Sequence, residues 1–189
     1  MFESIHSELI ARWIPVEGTG LEHLTLGPDG EGGVVVRSVV IGERGGVPYG
    51  ARYEISLTAA WQVRRFAIDS TDSRQLTMLS PEPGVWLSEH GEERAEFACC
   101  LDIDFAGSPF TNTLPIRRVG MTPAEGKIAL RMLYVPFDSF VPSVDSQDYT
   151  CLELGARYRY AAADRSFTAE ISVDTHGLVT DYPTLFRRV

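Results

Sequence analysis

Two carboxylates stand out among the residues that could do chemistry. Asp102 and Asp104 are two positions apart in a run that alternates apolar and polar residues. In a β-strand this spacing puts both side chains on one face, about 6.5–7 Å apart. Two carboxylates so placed can grip sugar hydroxyls, or admit a water between two acid groups as an inverting glycosidase does. Charged side chains on a strand are also commonly just solvated. Binding, catalysis and plain solvation therefore all stay open.

Conventional catalytic motifs do not accompany these carboxylates. The 4 histidines form no HExxH or paired metal motif, no serine lies in a Gly-x-Ser-x-Gly elbow, and no Cys-x-x-Cys occurs. The glycine-rich stretches match neither a phosphate-binding loop nor a dinucleotide fingerprint. The sequence therefore predicts no metal and no cofactor, and it disfavours a serine or cysteine hydrolase.

Composition narrows the partners and the compartment. The formal net charge of -9 repels phosphate backbones, so a nucleic-acid partner is not expected. No stretch approaches the ~20 apolar residues of a membrane helix, and residues 1–13 lack the pattern of a secretory signal. The 3 cysteines are odd in number and include an adjacent pair, so no disulfide framework is predicted. We expect a cytoplasmic protein without a transmembrane segment.

The elements that must position Asp102 and Asp104 are mostly strands. Period-two alternation at 97–105, 167–173 and 53–57 predicts half-buried strands with one wet face. The runs 34–41 and 128–135 alternate little and are rich in β-branched and apolar residues, so we predict that they lie mid-sheet and are covered on both sides. With no repeat and no linker, the 189 residues are predicted to form one domain, 1–189.

Turn signals separate the runs and leave room for few helices. Turn chemistry at 27–30, 42–50 and 174–177 predicts tight reversals of a meandering sheet. A short helix is predicted over 111–119, with Thr or Asn as its cap, Pro115 in the first turn and Gly120 at its end. A competing helix is the opening segment, where apolar residues recur near helical spacing up to Trp13. Only one of the two is expected to form.

One motif carries a family resemblance. The segment 109–118, Pro-Phe-Thr-Asn-Thr-Leu-Pro-Ile-Arg-Arg, follows Asp102-Ile103-Asp104 and resembles the hallmark of the "Putative glycolipid-binding" family, formerly a domain of unknown function. The resemblance continues through Trp61 with Arg64 and Arg65, through 147–150, and through 174–187. Ser108 stands where the family is expected to have threonine, which keeps the hydroxyl.

The resemblance implies both a fold and a ligand. It implies a mostly β protein: a highly curved antiparallel sheet wrapped around a single α-helix, remotely like the half-barrels of bacterial lipoprotein carriers, assembling as a homodimer. It also implies an acidic pocket for a glycolipid or another sugar-bearing amphiphile. The residues predicted to bind this ligand are Asp102, Asp104, Arg117, Arg118, Tyr149, Trp61, Arg65, Asp174 and Tyr182.

The predicted roles of these residues differ. Asp102 and Asp104 would hold the polar head group, and aromatic side chains would stack on a sugar ring or an acyl chain. Arg117 and Arg118 are adjacent and point in different directions, so at most one is expected to face the two carboxylates. Two other functions stay open: a carbohydrate-active enzyme that uses Asp102 and Asp104, and a structural or interaction module without a small ligand.

Overall fold

The protein is mostly β. A computed structural model describes residues 2–44 and 46–189, and within them 14 strands form one sheet. The strands are β1 Leu9–Pro15, β2 Leu21–Pro28, β3 Val34–Arg44, β4 Val47–Leu57, β5 Val63–Ser70, β6 Gln75–Leu79, β7 Leu87–Ser88, β8 Asp102–Phe105, β9 Lys127–Val135, β10 Ser143–Glu153, β11 Arg157–Ala162, β12 Thr168–Val173, β13 Val179–Tyr182 and β14 Phe186–Arg188. The predicted fold class is confirmed.

The sheet consists of two meanders joined at the first and last strands. Its order is β7-β6-β5-β4-β3-β2-β1-β14-β13-β12-β11-β10-β9-β8, so β1 pairs with both β2 and β14. All these pairs are antiparallel except β8 with β9, which run parallel. The edge strands β7 and β8 do not pair with each other in the described residues, so the sheet is curled but not closed.

A short helix lies inside this curl. The helix α1, Thr113–Val119, follows a 3-10 turn at Pro109–Asn112, and two other 3-10 turns are Ala95–Phe97 and Pro123–Glu125. The first four residues of α1 are all buried and the last three are half-buried, so its first turn is enclosed on all sides. Gly120 ends the helix in the left-handed conformation, with φ 63°, which glycine adopts without strain. The predicted helix and its end at Gly120 are confirmed, but the helix begins at Thr113 rather than 111, and Asn112 makes no side-chain cap hydrogen bond.

Two apolar cores lie on either side of the segment that contains β8 and α1. The first lies under β1–β6 and includes Phe105 and Leu114. The second lies under β10–β13 and includes Ile116 and Tyr158. Because α1 contributes to both cores, it fixes the two meanders relative to each other and holds β8 between them.

The competing prediction of a helix near the N-terminus is wrong. Residues 9–15 form β1, where Ala11 and Trp13 are buried while Ile10 and Arg12 are exposed. The apolar spacing fits a helix only if Ile10 is ignored. Because this segment pairs with β2 on one side and β14 on the other, it forms a strand, and its period-two pattern matches the alternation of buried and exposed side chains.

The prediction of a half-buried strand over 97–105 is wrong in two respects: the strand is shorter, and its polar face is not exposed to solvent. Phe97 lies in a 3-10 turn, and only Asp102–Phe105 form a strand. The polar face of that strand is covered, because Thr111 and Arg118 from the inner segment contact its carboxylates. Alternation predicted the strand but could not predict what packs against it. The predicted strands at 53–57 and 167–173 lie within β4 and largely within β12.

The two runs predicted to be covered on both sides are covered only in part. β3 is mid-sheet, but Val39 and Ile41 are exposed on the outer face of the curl. β9 lies beside the edge strand β8, and it becomes largely buried only from Met132 onwards. The apolar content of these runs therefore did not predict that their outer face is partly exposed to solvent. The reversal predicted at 42–50 is the β3–β4 hairpin, although Gly45 lies outside the described residues. All 3 cysteines are free.

Candidate ligand-binding cavity

A cavity of about 490 Å³ opens between the two meanders, beside the turn that leads into α1. This volume is within the range of about 300–1,000 Å³ found for small-molecule sites. Its lining side chains come from β1–β4 on one side and from β8 and the following turn at the base. On the other side they come from β9, β11, β13 and β14 and from Phe167, which precedes β12. The curl of the sheet thus creates the cavity, and the inner segment forms its base.

Four carboxylates line the cavity. Glu22 and Asp104 lie at its inner end, while Glu17 and Glu43 are exposed and lie at its mouth. None of the described lining side chains is Lys, Arg or His. The cavity therefore has a strongly negative lining, and Asp104 is the only one of these four acids that sequence motifs indicated.

Glu22 is the most unusual of these residues, because it is an acid in a core-facing position. Its exposed fraction is 3%. Three hydroxyls donate to one oxygen, Oε1: Ser38 at 2.8 Å, Ser108 at 2.9 Å, and Tyr53 in a short contact. The second oxygen, Oε2, has no hydrogen-bond partner in the described part of the chain. Burial raises the pKa of Glu22 to about 7, and the three hydroxyl donors oppose that rise.

Asp104 is also held by neutral partners. Its carboxylate accepts hydrogen bonds from Nε2 of Gln147 at 2.7 Å and from Oγ1 of Thr111 at 3.1 Å. The same Gln147 nitrogen also donates to Asp145 at 2.9 Å. Burial raises the pKa of Asp104 above its ordinary value, and its two donors lower it only in part. Both inner acids are thus held by neutral donors.

Aromatic side chains form much of the cavity wall. They include Tyr49, Phe137, Tyr160, Phe167, Tyr182 and Phe186. The rings of Tyr49 and Phe137 meet edge to face at 5.4 Å, and Tyr160 lies 6.2 Å from Tyr182. Such rings offer flat apolar faces that suit a sugar ring or an alkyl chain. Of the predicted site residues, Asp104 and Tyr182 line the cavity.

Asp102 lies elsewhere, although it shares a strand face with Asp104. Its side chain is 1% exposed and receives two hydrogen bonds from Arg118: Nε to Oδ1 at 2.9 Å and Nη2 to Oδ2 at 2.6 Å. The helix α1 places Arg118 over Asp102 but not over Asp104. The structure therefore does not bring the two carboxylates together in one cavity, as both the head-group hypothesis and the two-carboxylate enzyme hypothesis required.

Arg117 takes a different direction from Arg118, as the sequence predicted. Its guanidinium lies 4.0 Å above the ring of Trp61 and donates to the carbonyl of His176 at 2.5 Å and to that of Glu3 at 2.9 Å. Burial lowers the pKa of Arg117 to about 10. Arg117 and Trp61 thus tie the N-terminal segment and the turn after β12 to α1, away from the cavity lining.

The remaining predicted residues are also outside the cavity lining. Tyr149 is buried and donates to Oδ1 of Asn112 at 2.8 Å, and Asn112 in turn lines the cavity. Arg65 lies on the outer face beside Glu54. Asp174 shapes the turn before β13 by accepting backbone hydrogen bonds, and it pairs with Arg188. Tyr149 therefore supports a lining residue, Asp174 holds a turn of the scaffold, and Arg65 belongs to an exposed ion pair.

Sequence reasoning missed Glu22, although β2 contains a signal for it. Glu22, Leu24 and Leu26 are all buried and share one face of the strand. An acid in phase with core leucines is expensive to bury, so its presence points to a site. Ser108 and Asn112 were within or beside the quoted motif, but their direction could not be predicted.

The described residues offer neither a metal-binding group nor a membrane-spanning helix. No three of their His, Cys, Asp and Glu side chains are grouped so that they could hold a metal ion. Within 2–44 and 46–189, none of the helices has the length and apolar character needed to cross a membrane.

The fold and the cavity define a class of protein: a curled, open β-sheet around a short helix, with a ligand-sized cavity inside. A family model described as "Putative glycolipid-binding" matches residues 10–188, and the chain belongs to this family. It is also similar to a crystal structure of a DUF1089 family protein from Pseudomonas aeruginosa, with 34% identity and a TM-score of 0.72 over 100% of this chain and 96% of that one. No curated protein is significantly similar to this chain. The family resemblance seen in the sequence is confirmed.

Proposed function

We propose that this protein binds a glycolipid or a related sugar-bearing amphiphile in the cavity between its two meanders. The observation that carries the proposal is the division of the cavity into two chemical zones. Its inner end holds Glu22, Asp104, Ser108 and Asn112, while its walls hold aromatic rings. The name of the family agrees with such a ligand.

Each zone has a distinct energetic role. If a ligand buries about 200 Å² of apolar surface against the rings, that burial contributes about 5 kcal/mol before entropic costs, at ~25 cal/mol per Å². The polar groups at the inner end then need only orient the head group. An acidic pocket is kept in this proposal, but its inner acids are Glu22 and Asp104 rather than Asp102 and Asp104.

A space-filling substitution tests the proposal. Ala106 lines the cavity, so Ala106→Trp should occupy part of it. Ala163 is exposed in the turn after β11 and provides a matched control, Ala163→Trp. Isothermal titration with alkyl glycosides below their micelle-forming concentrations should show binding to the wild type and to Ala163→Trp. Affinity should fall about tenfold or more in Ala106→Trp.

Two results would contradict this proposal. Equal affinity of both alanine variants would place the ligand outside the cavity, and no binding to any of the three proteins would favour an interaction module. Mass spectrometry of an organic extract of the protein, purified without detergent, gives an independent test. An amphiphile retained by the wild type and lost from Ala106→Trp would identify the natural ligand class.

Three further features stay predictions. We expect one domain, a homodimer and a cytoplasmic location. The unpaired edges at β7 and β8 give the homodimer a physical reason, because exposed edges invite pairing. Light scattering that shows a monomer over a wide concentration range would contradict the homodimer.

A further inference from the structure

The inner acids of the cavity differ from Asp102 and Asp174 in one respect. Asp102 is paired with Arg118, and Asp174 is paired with Arg188. Among the described side chains, which exclude that of Arg44, Glu22 and Asp104 have no cationic partner; hydroxyl and amide groups are their partners there. Arginines thus neutralise these two acids of the scaffold, whereas no described cation compensates the two acids of the cavity.

The hydrogen bonds of Glu22 sharpen this contrast. Its three donors all converge on Oε1, while the buried Oε2 has none. A buried carboxylate without a counter-charge is costly, and without a partner for one oxygen it is costlier still. Because Oε2 is itself buried, a ligand in the cavity acts on Glu22 through its charge, so the missing contribution at the inner end of the cavity is a positive charge.

The lining shows which ligands would supply that contribution. An ammonium group would be attracted by Glu22 and Asp104. Tyr160 and Tyr182 line the same cavity, and aromatic rings attract cations. A phosphate or sulfate would meet four lining carboxylates and none of the described cationic side chains. A metal ion does not suit the site, since the described acids are not grouped to hold one.

We infer that the cavity selects amphiphiles whose head group carries an ammonium, with Glu22 and Asp104 as the residues that determine this specificity. The inference rests on the proposed function and narrows it from a sugar-bearing amphiphile to an aminated one. A neutral sugar head group can still enter and use the same hydrogen-bonding groups, but it leaves both acids without a counter-charge. Anionic head groups are rejected.

Three probes with one alkyl chain test the selectivity. They are n-decyltrimethylammonium, n-decyl β-glucoside and n-decyl phosphate, each titrated calorimetrically below its micelle-forming concentration at pH 8. At this pH Glu22, with a pKa of about 7, is largely ionised. The wild type should bind the ammonium probe about tenfold or more tightly than the glucoside, and the phosphate most weakly.

Charge-neutralising variants assign the selectivity to the two acids. Glu22→Gln and Asp104→Asn should each lower the affinity for the ammonium probe about tenfold, while the affinity for the glucoside changes by less than about threefold. Glu54→Gln is the matched control, because Glu54 neighbours Tyr53 in β4 but points to the outer face, where it pairs with Arg37. It should leave all three affinities unchanged. Thermal melts identify any variant that does not fold, and the other cavity variant then decides.

The outcomes separate this inference from the proposed function. If the glucoside or the phosphate binds as tightly as the ammonium probe, or if the preference survives both cavity substitutions, the inference is wrong while the cavity remains a binding site. If none of the three probes binds the wild type, the proposed function fails as well. A loss of preference in Glu54→Gln equal to that in Glu22→Gln would show that overall charge, not the cavity, attracts the ammonium.

Discussion

The ion pair between Asp102 and Arg118 gives a sharp test of how the inner segment is held. Asp102 is 1% exposed and Arg118 is 15% exposed, and two hydrogen bonds of 2.9 and 2.6 Å join them. Asp102→Ala removes both acceptors and leaves a guanidinium that is largely buried beside α1. We expect this variant to be strongly destabilised, because a charge left without its partner is far costlier than the pair is favourable.

The magnitude follows from the burial of the two partners. Breaking a buried pair costs about 3–5 kcal/mol. Arg118 keeps some exposure and can turn towards water, so we expect about 3 kcal/mol, the lower end of that range. For a chain of this length each kcal/mol shifts the melting temperature by roughly 2–4 °C, so the expected decrease is about 6–12 °C. Urea unfolding and thermal melts of the purified variant measure both quantities.

Two comparison variants separate the ion pair from general effects of mutation. Asp148→Ala removes an acid whose partner, Lys127, is 63% exposed, so it should cost less than about 1 kcal/mol. The double variant Asp102→Leu with Arg118→Met replaces both charges by apolar groups, and it should lie within about 1 kcal/mol of the wild type. Burial raises the pKa of Asp102, and the nearby Arg118 offsets that rise only in part. This balance agrees with an ion pair that contributes little net free energy to folding. An unchanged melting temperature in Asp102→Ala would refute this reasoning.

Three other predictions concern the cavity and its surroundings. Burial raises the pKa of Glu22 from 4.5 to about 7, so the folded state keeps a proton that the unfolded state releases, and stability falls by about 3 kcal/mol as the pH rises between these values. Glu22→Gln should therefore raise the melting temperature more at pH 8 than at pH 5, and equal shifts would contradict this sign. Arg117→Lys should cost about 1 kcal/mol in urea unfolding, because lysine lacks the planar group that stacks on Trp61 and bonds two carbonyls; full stability would contradict the stacking role. Gly107→Ala should cost about 1–3 kcal/mol in thermal melts, since a Cβ there would lie 2.5 Å from the ring of Phe137, and a neutral effect would mean that the ring moves away easily.

The parts of the fold that depend on local chemistry could be predicted from the sequence. Period-two runs mark β4 and β12, and Pro115 with Gly120 bound the helix, because each signal acts within a few residues. The pairing of β1 with β14 could not be read from such signals. It joins the two ends of the described chain, and no turn or repeat marks it. The same limit explains why the opening segment, which has apolar residues at both spacings, was also compatible with a helix.

The candidate site, too, could be predicted only as far as local sequence signals reach. A spacing of two predicts that Asp102 and Asp104 share a face, but it cannot predict which of them meets an arginine. That choice depends on where the last turn of α1 lies over β8, which is a matter of tertiary packing. Arg118 reaches Asp102, and Thr111 with Gln147 reaches Asp104. One carboxylate therefore becomes part of the scaffold, and the other becomes part of the cavity.

Glu22 shows how more of the site could have been inferred. Its strand is linked by short turns to β3 and β4, and the inward-facing positions of these three strands are mostly apolar. Glu22, Ser38 and Tyr53 interrupt that apolar set, and in the structure both hydroxyls donate to the same carboxylate oxygen. Polar residues that share the inward phase of neighbouring strands should therefore be treated as one candidate cluster, because a buried acid needs hydrogen-bond donors close by. Ser108 completes the cluster from 86 residues away, a step that no local pattern predicts.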